Sequence, residues 1–249
     1  MKIGKLAGLS WTLAKYNLKV RYTGSWLGFL WYALKPLFYF SLLLLIFSKS
    51  FGNTIEFYPV YLLLGVFFWN LFTNATSSGM ESTENRLIKS IKFPSEALVI
   101  SAVLSYFVAH LFEIGLLVIL LVYFSISPLN IIFYIVLAAF FFIFLLGISF
   151  FLASVNLFFR DINPIWKVIV TSLLFFTPIF YSVKIGGPGQ FVNLFNPLYY
   201  FITAARSFVI YSEIPDAIIL LGVIVFPLIS ILIGYIIFNK LKIKFAELI

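Results

Sequence analysis

The 249-residue sequence has no cysteine, so it holds neither structural disulfides nor thiolate metal sites. Its single histidine, His110, leaves no zinc-ligand spacing, and neither a Walker phosphate loop nor a nucleophile elbow occurs in the chain. Charge is scarce too. Asp, Glu, Lys and Arg make up 10% of the residues, against about 25% in an ordinary soluble domain. With 63% of the sequence hydrophobic, no aqueous fold can hide so much apolar side chain. These shortages leave one membrane domain, 1–249, with no large soluble module.

The formal net charge of +8 does not point to nucleic acid. The Lys and Arg residues lie in short clusters between long uncharged stretches, the pattern of a membrane protein that faces an anionic inner leaflet. The apolar runs place spans at 27–47, 58–76, 97–124, 131–158, 165–181 and 218–238, each near the roughly 20 residues that a helix needs to cross a bilayer. The expected fold is therefore all-α and integral to the membrane, with six transmembrane helices. Lys35 and Pro36 interrupt the first span, and Thr177-Pro178 stops the fifth. The third and fourth are joined only by Ser125 to Asn130, which predicts a tight helical hairpin. Residues 190–211 tempt a seventh span but carry Gln190, Asn193, Asn196, Pro197, Thr203 and Arg206, so two short helices within 188–211, broken at Asn196-Pro197, suit them better. The first apolar run follows roughly 25 mixed residues and is too long for a signal-peptide core, so no cleaved leader is expected.

Orientation supports the count. With the N-terminus inside, only Lys49, Lys184 and Arg206 remain on the outer side. A seventh crossing would carry Lys240, Lys242 and Lys244 outside, against the positive-inside rule, so both termini are expected in the cytoplasm.

Two further helices are expected at the membrane surface. Residues 3–22 are amphipathic, with Leu6, Leu9, Leu13, Tyr16 and Val20 on one face and Lys15 and Lys19 opposite, which predicts a helix lying in the interface. Residues 81–96 balance Glu81, Glu84 and Glu96 against Arg86, Lys89 and Lys92, and hold helical phase up to Pro94. A charge-balanced helix joined to two spans can transmit a push from a soluble partner. Within the spans, His110 and Glu113 sit three apart on one helix face. Such a pair is either part of a transport path or a structural hydrogen-bonded pair. Aromatic residues make up 20% of the chain; they either line a channel on which sugar rings slide or face lipid and form interfacial belts.

The stretch Arg21-Tyr22-Thr23-Gly24-Ser25-Trp26-Leu27-Gly28-Phe29-Leu30-Trp31, followed by Lys35-Pro36-Leu37, resembles the N-terminal signature of permeases in type-2 ABC exporters of cell-surface polysaccharides. Phe159-Arg160-Asp161-Ile162 and Phe195-Asn196-Pro197-Leu198-Tyr199-Tyr200 agree in order and spacing. The resemblance implies a bacterial inner-membrane homodimer enclosing a pore, with two copies of a soluble ABC ATPase docked beneath it. ATP and Mg would be held by that ATPase, with no cofactor or metal bound by this chain and no catalysis of its own. It implies that Lys15 and Lys19, together with Glu81, Glu84, Asn85, Arg86, Lys89 and Lys92, meet the ATPase through an interface helix and a coupling helix. It also implies two short re-entrant helices as an outer gate, here at Asn196, Pro197, Tyr199 and Tyr200. Within the signature, Gly28 permits the turn from interface helix to first span. Arg21 and Lys35, with Tyr22 and Gly28 beside them, are candidates to hold the diphosphate of a lipid-linked polysaccharide, the alternative being contact with ordinary lipid headgroups. Arg160 and Asp161 are expected to form a structural ion pair.

Two other classes remain open in the sequence. A lipid or drug extruder, or a teichoic acid or capsule exporter, shares the architecture. An ion-driven secondary transporter predicts paired half-repeats and several acids at the midplane, against which the isolated His110 and Glu113 argue.

Overall fold

Lipid offers backbone N–H and C=O groups no hydrogen-bond partner, so apolar runs of this length fold as helices that satisfy their own backbone. The computed structural model describes residues 3–21, 23, 24, 26, 28–84, 94–159, 161–183 and 188–242, and among these the regular structure is entirely helical. The helices are α1 (Ile3–Arg21), α2 (Trp31–Phe51), α3 (Tyr58–Glu81), α4 (Ser95–Tyr123), α5 (Ile131–Phe158), α6 (Ile162–Phe176), α7 (Pro188–Asn193), α8 (Pro197–Arg206) and α9 (Ala217–Leu241). A π turn, Ser207–Tyr211, extends α8.

Five of these, α2, α3, α4, α5 and α9, are long and apolar enough to cross a membrane. The run expected as a fifth span forms α6, which has only 15 residues and so spans about 22 Å against a hydrocarbon core of about 30 Å. Pro178 explains the stop. The residue before a proline is driven out of the helical region, and Thr177 sits at ψ 135°, ending α6 at Phe176.

Other boundaries also differ from the sequence expectation. A tight turn at Gly28–Leu30 precedes α2, which runs past its apolar stretch to Phe51. Helix α3 continues to Glu81, so this residue closes a long helix instead of opening a separate one. The extension is held by the body of the protein: Asn163 Nδ2 donates to Glu81 Oε1 at 3.0 Å, and the Thr83 hydroxyl donates to the Ala153 carbonyl at 3.3 Å. Glu96 likewise belongs to the first turn of α4. The stretch 85–93 between them lies outside the described residues.

The core is aromatic. Phe68, Phe141 and Phe201, from α3, α5 and α8, are fully buried and meet edge to face or tilted at centroid distances of 5.0 and 4.8 Å. Helices α5 and α9 approach more closely than side chains would allow. A Cβ on Gly147 would run into the Ser230 backbone and one on Gly234 into the Gly147 carbonyl, the small-residue contact by which helices associate in lipid. By contrast, Pro36 and Phe40 are the only buried side chains described in α2, and Val170 the only one in α6.

Helix α1 packs along α4 through a different face from the one its leucines suggest. Ser10 and Ala14 are buried while Tyr16 and Val20 are exposed, because small side chains let the two backbones come close. Asn17 Nδ2 donates to Ser101 Oγ at 3.4 Å on the same seam.

Candidate functional site

Where α1, α2, α3 and α4 meet, a polar cavity of about 200 Å³ is lined by Arg21, Lys35, Asn70, Asn74, His110 and Glu113. Helical spacing explains the wall: Asn70 and Asn74 are four apart on α3, and His110 and Glu113 three apart on α4. Arg21 ends α1 beside α4, its guanidinium 3.7 Å from the Tyr106 ring centroid and 3.5 Å from Ser105 Oγ. The cation therefore rests on an aromatic face as it reaches the cavity.

Behind the cavity the polar groups form a chain. Asn74 Nδ2 donates to Asn70 Oδ1 at 2.7 Å, and Asn70 Nδ2 donates to Glu113 Oε1 at 3.0 Å. Glu113 Oε2 is 2.5 Å from His110 Nδ1, and His110 Nε2 is 2.8 Å from the Tyr134 hydroxyl of α5. An imidazole that donates from Nδ1 to the carboxylate and accepts the Tyr134 proton at Nε2 satisfies both ends. His110 and Glu113 are thus a hydrogen-bonded pair tied to two other helices, and also part of the cavity wall.

At the opposite end of the bundle, Asn196 is buried and caps α8. Its side chain accepts from the Leu198 N–H at 3.1 Å and donates to Thr177 Oγ1 at 2.8 Å, while Pro197 takes the first helical position. Tyr200 is buried and its hydroxyl donates to the Leu194 carbonyl at 2.8 Å. The next turn of α8 delivers Arg206 into the protein, 4% exposed. Its Nε and Nη2 donate to the Tyr61 carbonyl at 3.2 and 3.1 Å, Nη1 to that of Pro178 at 2.7 Å, and Nη2 to that of Ile179 at 2.7 Å. The guanidinium carbon also lies 3.3 Å from the Tyr61 ring centroid. Gly65 leaves room for this, since a Cβ there would sit 3.0 Å from Nη2. Among the described residues no carboxylate pairs with Arg206. Burial pushes the phenols of neighbouring Tyr199 and Tyr211 upward, so both stay protonated hydroxyls at physiological pH.

Of the residues singled out from sequence, Arg21 and Lys35 share the polar cavity, and Tyr199 and Asn196 belong to the α8 end. Gly28 adopts φ +47°, a left-handed conformation that favours glycine. Lys15 and Lys19 are exposed on α1, with Lys15 Nζ 5.1 Å from the Trp11 ring. Glu84 lies in the short turn after α3, and Asp161 is exposed at the start of α6. Tyr22, Asn85, Arg86, Lys89, Lys92 and Arg160 lie outside the described residues. Sequence reasoning missed Asn70, Asn74, Tyr134 and the role of Arg206. Two asparagines four apart in an apolar span were the available signal.

Comparison with known proteins matches residues 9–210 to the family described as ABC-2 type transporter. The chain is 25% identical over 246 residues to the O-antigen export system permease protein RfbA of Myxococcus xanthus, covering 96% of this chain and 95% of the relative. It is 30% identical over 253 residues to a protein of the same description from Klebsiella pneumoniae, covering 99% and 97%. A second Klebsiella pneumoniae protein so described is 29% identical over 261 residues, with 99% and 97% covered. The matched segment runs from α1 to the π turn after α8, and the chain belongs to the ABC-2 type transporter family as a membrane permease subunit of an ABC exporter, not itself an enzyme.

Proposed function

We propose that this chain is an O-antigen export permease of the Wzm kind, passing lipid-linked polysaccharide across the bacterial inner membrane as a homodimer worked by two copies of a separate ABC ATPase. The observation that carries this reading is the cavity in which Arg21 and Lys35 come together with Asn70 and Asn74. Two cations suit a diphosphate, because guanidinium and ammonium balance its charge, and Asn70 Nδ2 keeps one N–H beyond the one it gives Glu113. The naming of the relatives as O-antigen export permeases supports the same substrate class.

Pairing is supported by the two sparsely buried helices. A polymer needs a continuous conduit, and α2 and α6 offer faces on which a second copy can close one. In this reading both termini, the Glu81 end of α3 and the stretch 85–93 are cytoplasmic. ATP-driven closure of the partner pushes on Glu81, Glu84, Asn85, Arg86, Lys89 and Lys92, while Lys15 and Lys19 contact the ATPase from α1. Asn196, Pro197, Tyr199 and Tyr200 then form the outer, re-entrant gate. The Arg160–Asp161 pair pins the short turn before α6.

Deleting the gene tests the function. Lipid-linked polymer should accumulate on the cytoplasmic side, and normal surface polymer would overturn the proposal. Reversing both charges, Arg21→Glu with Lys35→Glu, should reproduce the deletion with the protein still present in the membrane; intact export would remove the diphosphate role.

A further inference from the structure

A second cavity, of about 240 Å³, lies between the first turn of α3, the 177–183 segment and α8 with its π turn. Three tyrosines, Tyr61, Tyr199 and Tyr211, and the hydroxyls of Ser182, Thr203 and Ser207 form its wall, and Arg206 closes one side. No carboxylate lines it among the described residues. The lining decides the ligand class. A metal cation would find no anionic ligand in the lining, and an acyl chain would offer nothing to the remaining lone pairs of these hydroxyls, of which Tyr61 already donates to Tyr181 and Tyr199 pairs with Thr203.

A sugar ring fits each feature. Its C–H faces carry slight positive charge and settle on the negative face of an aromatic ring. Its hydroxyls need partners that both donate and accept, as Ser, Thr and Tyr hydroxyls do. The volume is below the roughly 300–1,000 Å³ of clefts that take drug-sized ligands, which suits one ring rather than a length of chain. Rigidity favours the same use: Tyr61 donates from its hydroxyl to the Tyr181 carbonyl at 2.9 Å and is held on one face by Arg206, so the wall is set before any ligand arrives.

We propose that this cavity binds one sugar ring of the exported glycan at the end of the bundle remote from Glu81, a subsite separate from the Arg21 and Lys35 cavity. It rests on the export function proposed above. Occupied by successive rings, it holds the chain at the α8 end while the lipid end is still engaged near α1.

The test is saturation-transfer NMR on the assembled exporter with its ATPase in nanodiscs. The probe is the cell's own surface polysaccharide, freed of lipid by mild acid. Wild type should transfer saturation to sugar ring protons. Tyr211→Leu and Thr203→Val should each weaken binding about tenfold, the scale of one lost stacking or hydrogen-bond contact, with thermal unfolding unchanged. Absence of transfer in wild type, or unchanged affinity in both variants, overturns the subsite. Cells lacking the gene separate the two proposals. Cytoplasmic polymer in those cells without binding by the purified exporter refutes the subsite alone, whereas normal surface polymer refutes both.

Discussion

Replacing Arg206 with methionine removes all the guanidinium donors at the α8 end while keeping most of the side-chain length. The arginine donates four hydrogen bonds to three carbonyls. The Tyr61 carbonyl keeps its helical partner, four residues on in α3, but those of Pro178 and Ile179 lose theirs. Each buried orphan costs about 1–3 kcal/mol. Relief of the guanidinium's own desolvation offsets part of that sum, leaving a net destabilisation of about 2–3 kcal/mol. Arg206→Lys should recover little, since an ammonium keeps the buried charge without the planar fork that reaches both carbonyls. Unfolding of the purified protein in detergent, followed by tryptophan fluorescence, measures the loss. The absence of cysteine permits a local readout as well: Ser182→Cys, at an exposed position beside the arginine, should react faster with maleimide once Arg206→Met is added. A methionine variant within about 0.5 kcal/mol of wild type, the range of an inert surface change, would refute the stapling role, as would unchanged labelling.

Three further outcomes are expected. Gly234→Ala should abolish the close crossing of α5 and α9 at a cost of about 1–3 kcal/mol, seen as loss of monodisperse protein on gel filtration, because its methyl meets the Gly147 carbonyl. Tyr134→Phe should cost about 1 kcal/mol in the same unfolding assay, since the buried His110 then loses the hydrogen-bond partner of its Nε2. Lys242 donates to Glu96 Oε1 at 2.6 Å, tying α9 to the first turn of α4. Glu96→Lys should therefore lower the stimulation of the ATPase partner, and adding Lys242→Glu should restore it; the partly exposed pair contributes at most about 1 kcal/mol to stability itself.

The helical runs were plain from the sequence because apolar stretches longer than a bilayer is thick have one structural solution. The break at Asn196-Pro197 was legible for an equally local reason, a cap and a proline side by side. Partners drawn from elsewhere in the chain were not. Arg206 looked like an outer-side cation because carbonyls carry no sequence signature, and its burial depends on Gly65 and on the irregular backbone after Pro178. His110 could be paired with Glu113 by spacing, whereas Tyr134 and Asn70 reach the pair only through packing of α3 and α5 on α4. Helix α1 misled in a different way. Its leucines drew the eye to a hydrophobic stripe, but Ser10, Ala14 and Asn17 make the contact with α4.

Purified chain reconstituted with its ATPase in liposomes that contain lipid-linked polysaccharide provides the most direct test. ATP should carry the polymer to the face opposite the ATPase, where an enzyme confined to that side can trim it, and Arg21→Glu with Lys35→Glu should prevent this while leaving the complex assembled. Polymer that stays on the ATPase side in the wild-type liposomes, with ATP hydrolysed and the complex intact, would contradict the account.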